Sequence, residues 1–253
     1  MKIASLTAAA AIGAALTLLS PAGAAEKKPS AQKVLVEPEA VAAFNRMGAY
    51  LRSLKDFEVR SYATIDEVMD DGQKVQFDGT THYLVHRPTA FKIEMRTDRK
   101  VRDVYFRNGD FTLVAPRMKY YAQAKMPGTI REALDDIDFK YGIELPLEDL
   151  FEWGETETQP ADLKRAFTVG YAVINGIPAD QYAFRRGDLD FQIWIQRGPQ
   201  PVPLKYVITT RSEPSQPQFV AVMGWNVAPR LTDAMFVYTP PAGVNRILLA
   251  SQY

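Results

Sequence analysis

The sequence predicts an α+β protein that is mainly β, with ten or eleven antiparallel strands following one another as a meander. Three observations support this fold class. Apolar side chains recur at three- and four-residue steps over residues 37–54, which is the pattern of an amphipathic helix. After Lys55 the pattern changes to a period of two, and short turn signals interrupt it repeatedly. Residues 128–152 break that alternation and predict two short helical segments.

The first 25 residues have the features of a secretory signal peptide. Lys2 is their one charged residue, residues 3–19 form an apolar run, and residues 20–25 are small or proline. A basic start, an apolar middle and small residues at the cleavage site are typical of such signals. An uncleaved membrane anchor is the alternative, but the run is too short to span a bilayer comfortably. We therefore expect the chain to be processed and exported to the periplasm.

The composition of the exported chain limits its function. No cysteine is present, so no thiol can carry a lipid anchor, and we expect a soluble protein. Lysine plus arginine and aspartate plus glutamate both number 30, and removal of Lys2 leaves a net charge of −1. Such a charge gives no electrostatic footprint for nucleic acid. The length suits one domain over residues 37–253, preceded by a flexible polar leader over residues 26–36.

Turn residues divide the first half of the predicted sheet into five strands. The pairs Asp71-Gly72 and Asn108-Gly109 are turn signals, and the second pair is typical of a tight hairpin. Pro88 ends the second strand, because proline cannot donate a hydrogen bond to a sheet ladder. The predicted strands cover residues 57–70, 73–87, 91–96, 101–107 and 110–115.

The second half of the chain is organised in the same way. Asn175-Gly176 predicts another hairpin, and Gly198-Pro199 divides two further strands. The closing stretch alternates with a period of two and runs into Pro240-Pro241, which would stop a strand at that point. The predicted strands cover residues 167–174, 177–186, 189–196, 203–211, 218–227 and 233–239.

Two histidines, His82 and His86, are the only ones in the chain. On a helix this spacing would place both rings on one face, as a zinc site requires. The surrounding sequence predicts a strand instead, in which the two residues stand roughly 13 Å apart and cannot share one metal ion. We therefore expect solvated or hydrogen-bonded strand histidines and no metal site.

The helical insert contains two predicted helices, one that begins near Thr129 and one that begins near Pro146. Such an insert could cover a sheet face or close a cavity. Its acidic residues could serve general acid–base chemistry, but they are more typical of a solvated helix face. They are Glu132, Asp135, Asp136 and Asp138. No nucleophile elbow, phosphate-binding glycine loop or Ser/His/Asp set stands out. The sequence predicts no enzyme and no cofactor, while a hydrolase with an unrecognised site remains the alternative.

Three segments of the sequence carry a resemblance to a known family: "GTTHYLVHRPTAFKIEM" (79–95), "YFRNGDFTLVAP" (105–116) and "DAMFVYTPPAGV" (233–244). They resemble the LolA/LolB-like fold of periplasmic lipoprotein carriers. The resemblance spans roughly residues 36–246. Two further segments, "YGIELPLEDLF" and "DFQIWIQRGPQPVPLKYVITTR", look closer to an uncharacterised family of predicted periplasmic proteins within that superfamily.

The resemblance implies an open half-barrel of antiparallel strands wrapped over the N-terminal helix and a helical lid, with an apolar concave face for acyl chains. In such carriers the arginine of an Arg-Pro step hydrogen-bonds to the lid, and that position corresponds to Arg87. The aromatic residue three positions after the proline contacts cargo and corresponds to Phe91. The alternatives are a surface arginine at 87 and an ordinary core residue at 91.

The abundance of aromatic residues and methionine agrees with an apolar binding face, although core filling explains any single one of them. We expect a soluble, non-catalytic periplasmic protein that binds lipid or acylated lipoprotein cargo. An envelope sensor that binds such molecules and regulates a membrane protein partner is the alternative. Strand alternation does not decide which face is the inner one. The candidate ligand-binding residues are Arg87, Phe91, Ile93, Met95, Phe106, Leu113, Trp194, Met223 and Trp225.

Overall fold

The computed structural model describes residues 36–143, 145–153 and 157–250. The predicted signal peptide lies outside these residues, as does all of the predicted leader except Val36. No helix within these ranges is both long enough and apolar enough to span a bilayer.

Three α-helices and twelve β-strands make up the described part of the chain. The helices are α1 (Pro38–Ser53), α2 (Ile130–Tyr141) and α3 (Asp149–Glu152). Short 3-10 helices cover Pro116–Met118, Pro160–Asp162 and Asp233–Phe236. The strands are β1 (Asp56–Val68), β2 (Lys74–His86), β3 (Ala90–Thr97), β4 (Val101–Arg107), β5 (Asp110–Ala115), β6 (Tyr120–Lys125), β7 (Arg165–Ile174), β8 (Ile177–Arg186), β9 (Leu189–Gln196), β10 (Pro203–Thr210), β11 (Gln218–Asn226) and β12 (Asn245–Ile247).

All twelve strands belong to one open sheet. Their order is β12-β6-β5-β4-β3-β2-β1-β11-β10-β9-β8-β7, so the chain builds two meanders that meet where β1 pairs with β11. Every neighbouring pair is antiparallel except β12 and β6, which are parallel. The sheet does not close, because β12 and β7 remain its two edges. The predicted fold class, an α+β open half-barrel with a helix before it and a helical insert, is confirmed.

Two asparagine–glycine pairs form the tight hairpins that the sequence predicts. Asn108 and Gly109 have φ values of 49° and 87°, and Asn175 and Gly176 have values of 50° and 79°. Both residues of each pair therefore lie in the left-handed region that a type I′ hairpin turn requires. Glycine is further needed at 109, since a Cβ there would lie 2.8 Å from the carbonyl oxygen of Met126.

The helices pack on one face of the sheet, which we call the inner face. The apolar side of α1 packs on β7 to β10, where Met47 and Leu51 lie near Phe184 and Ile193 in one buried cluster. Helices α2 and α3 cover β1 to β5 in a second cluster. Each large apolar side chain buried in this way contributes about 1.5–3 kcal/mol of gross stabilisation. The apolar residues that recur at three- and four-residue steps in α1 are therefore the ones that contact the sheet.

The predicted strand over residues 233–239 is wrong, and two other strands were not predicted. Asp233–Phe236 is a 3-10 helix, and the last strand of the sheet is β12, after the proline pair. Burial still alternates over residues 236–238, because Phe236 is buried, Val237 is exposed and Tyr238 packs on the sheet. The ring of Tyr238 lies 5.5 Å from that of Tyr105, on the face opposite the helices, which we call the outer face. Strand β6 was not predicted because the residues that it buries on the inner face, Ala122 and Ala124, are alanines and give little apolar signal.

Candidate functional site

Aromatic side chains form a continuous layer on the inner face beneath α3. Phe91 stacks on Phe106 across β3 and β4, with ring centroids 5.2 Å apart. Phe151 of α3 packs into this layer and lies 6.0–6.3 Å from the rings of Phe57, Tyr83 and Phe91. All five side chains are buried. Removal of α3 would expose a row of large apolar groups spanning four adjacent strands.

Seven of the eight candidate lining residues lie on this inner face. Phe91, Ile93 and Phe106 are fully buried, and Met223 is nearly so. The remaining three are partly buried against the same cluster: Met95, Leu113 and Trp225. Strands β3, β4 and β5 thus bring five of the seven together, and β11 carries Met223 and Trp225 further along the face.

Trp194 is not brought together with the other candidates. The register pairs Ile193 with Tyr206 and Trp194 with Lys205, so Trp194 lies on the outer face. Its ring there lies 4.7 Å from Lys205 Nζ. The sequence could not decide this, because apolar residues occupy both phases of "FQIWI" in β9.

Arg87 connects the sheet to the helical insert. Its Nη2 donates a hydrogen bond of 3.3 Å to the carbonyl oxygen of Leu150 in α3. The guanidinium also lies 5.6 Å from the ring centre of Phe57 and 5.4 Å from that of Phe151. The contact with the insert that the resemblance implies for Arg87 is therefore present in this structure. The role of Arg87 as a latch remains a prediction.

A second polar contact, which we did not predict from the sequence, holds the insert in place. The hydroxyl of Tyr83 donates a hydrogen bond to the carbonyl oxygen of Pro146. Burial raises the pKa of Tyr83 well above its usual range, so this hydroxyl keeps its proton and acts as a donor. The signal available in the sequence was that Tyr83 has the same phase on β2 as Val85, so both side chains face inward.

A cleft of about 320 Å³ remains open beside α3, between the two groups of helices. Its apolar walls are the rings of Phe44 from α1, Trp153, Phe191 from β9 and Tyr206 from β10. The ring of Trp153 lies 5.0 Å from Tyr206 and 6.0 Å from Phe44, edge to face in both cases. This volume is at the lower end of the range for small-molecule pockets in proteins. The remaining lining residues are Arg131, Asp149, Glu152, Thr158, Leu163, Arg186 and Leu189.

Asp149 lies in this cleft with an unusual protonation equilibrium. Burial raises the pKa of its carboxyl group to about 6, the negative charge of Glu152 adds to the rise, and a hydrogen bond from Tyr206 opposes it. Burial and the adjacent Asp149 in turn raise the pKa of Tyr206 well above its usual range. The sequence could not single out Asp149, because a four-residue helix has too little periodicity to show which side faces inward.

The two histidines form hydrogen bonds on β2, as predicted. His82 lies between Glu94 and Glu58, with nitrogen–oxygen distances of 3.2 and 2.9 Å. His86 lies 2.6 Å from a carboxylate oxygen of Asp56. Within the described ranges, no group of three or more histidine, aspartate or glutamate side chains is placed to hold a metal ion.

The acidic residues of the insert lie mainly at the surface of α2. Glu132, Asp135 and Asp138 are exposed, and Asp136 pairs with Lys140 at 2.5 Å. The prediction of a solvated helix face is therefore confirmed. These carboxylates line neither the aromatic layer nor the aromatic cleft.

A larger groove of about 470 Å³ lies where residues 236–238 cross β4 to β6. Among its charged residues, Lys125 pairs with Asp110, and Arg107 pairs with Asp233, which lies beside the groove. The continuous layer of buried aromatic rings lies on the inner face, so the inner face is the stronger candidate site.

The family model described as predicted periplasmic protein (DUF2092) matches residues 40–250 of this chain. The chain belongs to this family. The match includes the sheet, the helical insert and the aromatic cleft, so the candidate site lies within the region that defines the family. The predicted family and the periplasmic localisation are both confirmed. No curated protein matches the sequence.

Solved structures with similar folds include LolA-superfamily and lipoprotein structures. Lipoprotein LppX of Mycobacterium tuberculosis is 8% identical with a TM-score of 0.46, covering 78% of this chain and 100% of that one. The LolA-superfamily protein NE2245 of Nitrosomonas europaea is 9% identical with a TM-score of 0.32, covering 79% and 97%. The matching chain of the MucA/MucB complex of Pseudomonas aeruginosa is 16% identical with a TM-score of 0.41, and the match covers 79% of this chain and 61% of that one. Similarity at this level says nothing about ligands.

Proposed function

We propose that this periplasmic protein binds the acyl chain of a lipid or lipoprotein on the inner face of its half-barrel, without catalysis. The observation that supports this proposal is the aromatic layer beneath α3, which packs against the insert in one buried cluster. The insert is held to the sheet through a few groups, among them Phe151 and the hydrogen bonds from Arg87 and Tyr83. An acyl chain would enter between α3 and this layer, where it would replace the contacts that the apolar side chains around α3 make with the layer.

The energies of the two competing states are similar. The part of the insert around α3 buries four large apolar side chains, each worth about 1.5–3 kcal/mol, which gives a gross stabilisation of about 6–12 kcal/mol. They are Leu145, Leu147, Leu150 and Phe151. A 16-carbon acyl chain would gain about 12 kcal/mol gross, at about 0.8 kcal/mol per methylene. Because neither state dominates by a wide margin, small polar contacts such as that of Arg87 can tune loading and release.

Native mass spectrometry of the protein after gentle purification tests the proposal. We expect masses that correspond to the protein with one bound lipid, and loss of that lipid on delipidation. Added palmitate should then restore a one-to-one complex. Protein that is lipid-free as purified and takes up no palmitate would contradict the proposal.

The second candidate function is an envelope sensor that binds lipid and also a membrane protein. The edge strand β7 favours it, since Val169, Tyr171 and Val173 are each about half exposed there. An exposed edge strand can pair with an extended segment of another chain. Affinity capture with the purified protein would then recover one membrane protein, and substitution of Tyr171 by lysine would abolish that capture while lipid binding persists.

A further inference from the structure

The cleft lined by Phe44, Trp153 and Tyr206 has a composition that hydrocarbon alone does not require. Its walls are aromatic, as expected for an apolar ligand, but Asp149 lies among them. A carboxylate in such a place opposes an acyl chain and would favour a cation instead. The inference drawn from this arrangement rests on the proposed function, because it concerns the polar end of the same amphiphilic ligand.

Three aromatic rings are arranged around the cleft at steep angles to one another. The planes of Trp153 and Tyr206 meet at 90°, and those of Phe44 and Trp153 at 69°. Because the rings are steeply inclined to one another, the cleft is lined by a mixture of ring faces and ring edges. The negative face of an aromatic ring attracts a cation within about 6 Å, and cages of such rings recognise quaternary ammonium groups.

Asp149 has no cationic partner among the described residues. The neighbouring Arg131 of α2 pairs instead with Glu152 at 2.9 Å and with Asp135 at 3.1 Å. Arg186 lines the cleft from the end of β8, where it is exposed. The side chains that act on the Asp149 carboxylate are Glu152, whose charge repels it, and Tyr206, which donates a hydrogen bond.

Two other titratable groups near α3 carry no positive charge. Glu148, which precedes the helix, is an acid that repels the charge of Asp149, and Tyr83 on β2 keeps its proton and is neutral. Apart from the hydrogen bond that Tyr206 donates, these neighbours disfavour the charged form of the partly buried Asp149 carboxylate, and a cation entering the cleft would stabilise it.

We propose that this cleft binds the substituted ammonium group of an amphiphile, with the aromatic rings as its cage and Asp149 as its counter-ion. The hydrocarbon chain of the same molecule extends from the cleft onto the inner face beside α3. The site takes an alkylammonium compound, whether a cationic amphiphile or a zwitterionic lipid with a choline headgroup.

The pH dependence of binding follows from the charge of Asp149. The carboxyl group ionises at a pKa of about 6, and only its ionised form attracts a cation. The affinity for an ammonium ligand should therefore rise by about tenfold between about pH 5 and about pH 7. An uncharged amphiphile of the same chain length should show no such rise.

Isothermal titration calorimetry with three dodecyl amphiphiles, each below its micelle-forming concentration, tests this proposal. The probes are dodecyltrimethylammonium, dodecylphosphocholine and the uncharged dodecyl maltoside. We expect the trimethylammonium probe to bind at least tenfold more tightly than the maltoside at neutral pH. Tight binding of dodecylphosphocholine as well would identify a lipid headgroup as the source of the ammonium, and weak binding would identify a free cationic amphiphile.

Asp149→Asn should remove both the preference for the cation and its pH dependence. Trp153→Leu should weaken the trimethylammonium probe by about tenfold through loss of a cage wall. Asp136→Asn, which neutralises an acid of α2 outside the cleft, is the matched control and should change nothing.

Equal affinity for the cationic and uncharged probes, or a preference that survives Asp149→Asn, would overturn the inference and leave the proposed function standing. Failure of all three probes to bind, in protein that still forms a one-to-one complex with palmitate, would overturn the inference alone, and failure of palmitate as well would overturn both.

Discussion

Arg87→Leu is the substitution that bears most directly on the helical insert. It removes the hydrogen bond to the Leu150 carbonyl and the two contacts of the guanidinium with Phe57 and Phe151. A hydrogen bond from a charged donor contributes about 1.5–3 kcal/mol, and each cation–π contact contributes about 0.5–1 kcal/mol. The bond is long at 3.3 Å, and leucine retains part of the ring contact. We therefore expect a net loss of about 2 kcal/mol in the stability of the closed insert.

A loss of about 2 kcal/mol corresponds to a roughly thirtyfold increase in the population of the open state. The natural chain has no cysteine, so Leu150→Cys provides a single thiol at a position that is 1% exposed when the insert is closed. The rate of maleimide labelling at this thiol reports the open population when opening and closing are fast. We expect Arg87→Leu to increase that rate by about thirtyfold and to raise the amount of co-purified lipid.

Arg96→Leu is the matched control for this experiment. Arg96 makes several hydrogen bonds, to the carbonyls of Met95 and Arg102 and to Asp103, but none to the insert. It should leave the labelling rate at position 150 unchanged. Equal labelling rates in the protein with Arg87 and in the Arg87→Leu variant, with circular dichroism unaltered, would refute the latch.

Two further predictions concern the inner face and the cleft. Phe91→Glu should abolish palmitate binding, because it places a charge in the aromatic layer. The control Tyr62→Glu, on the exposed outer face, should leave palmitate binding intact. Palmitate binding by folded Phe91→Glu protein would contradict the assigned face. The pKa of Asp149 is raised on folding, so its contribution to stability is greatest below about pH 4 and falls as the pH rises through about 6. The loss amounts to about 2–3 kcal/mol in the free energy of unfolding, measured by urea denaturation between about pH 4 and pH 7. Asp149→Asn should flatten that dependence, and an unchanged dependence would show that another group causes it.

The elements that bury a wide apolar stripe could be predicted from the sequence. Helix α1 shows its contact with β7 to β10 in the spacing of its apolar residues, and the Asn-Gly pairs fix their hairpins through φ values that few other residues adopt. The segment 233–239 misled because its alternation arises from packing on the outer face and not from pairing in the sheet. Alternation shows which side chains are buried, but it does not show whether a ladder or a crossing segment buries them.

The candidate site was predictable in its apolar part and not in its polar part. Phe91, Ile93 and Phe106 share one face because a period of two requires it, and the resemblance supplied Arg87. The face of Trp194 could not be decided, because β9 is apolar on both sides. Asp149 depends on contacts between α3 and β10, which are distant in sequence and leave no local pattern.

The central claim is that an acyl chain occupies the inner face beneath the insert. Photo-cross-linking with a palmitate that carries a diazirine on its chain, followed by peptide mass spectrometry, measures this position directly. We expect adducts on inner-face residues of β1 to β5 and on the insert, including Phe91 and Phe106. Adducts confined to outer-face residues such as Tyr62, or to the groove beside Tyr238, would contradict the account.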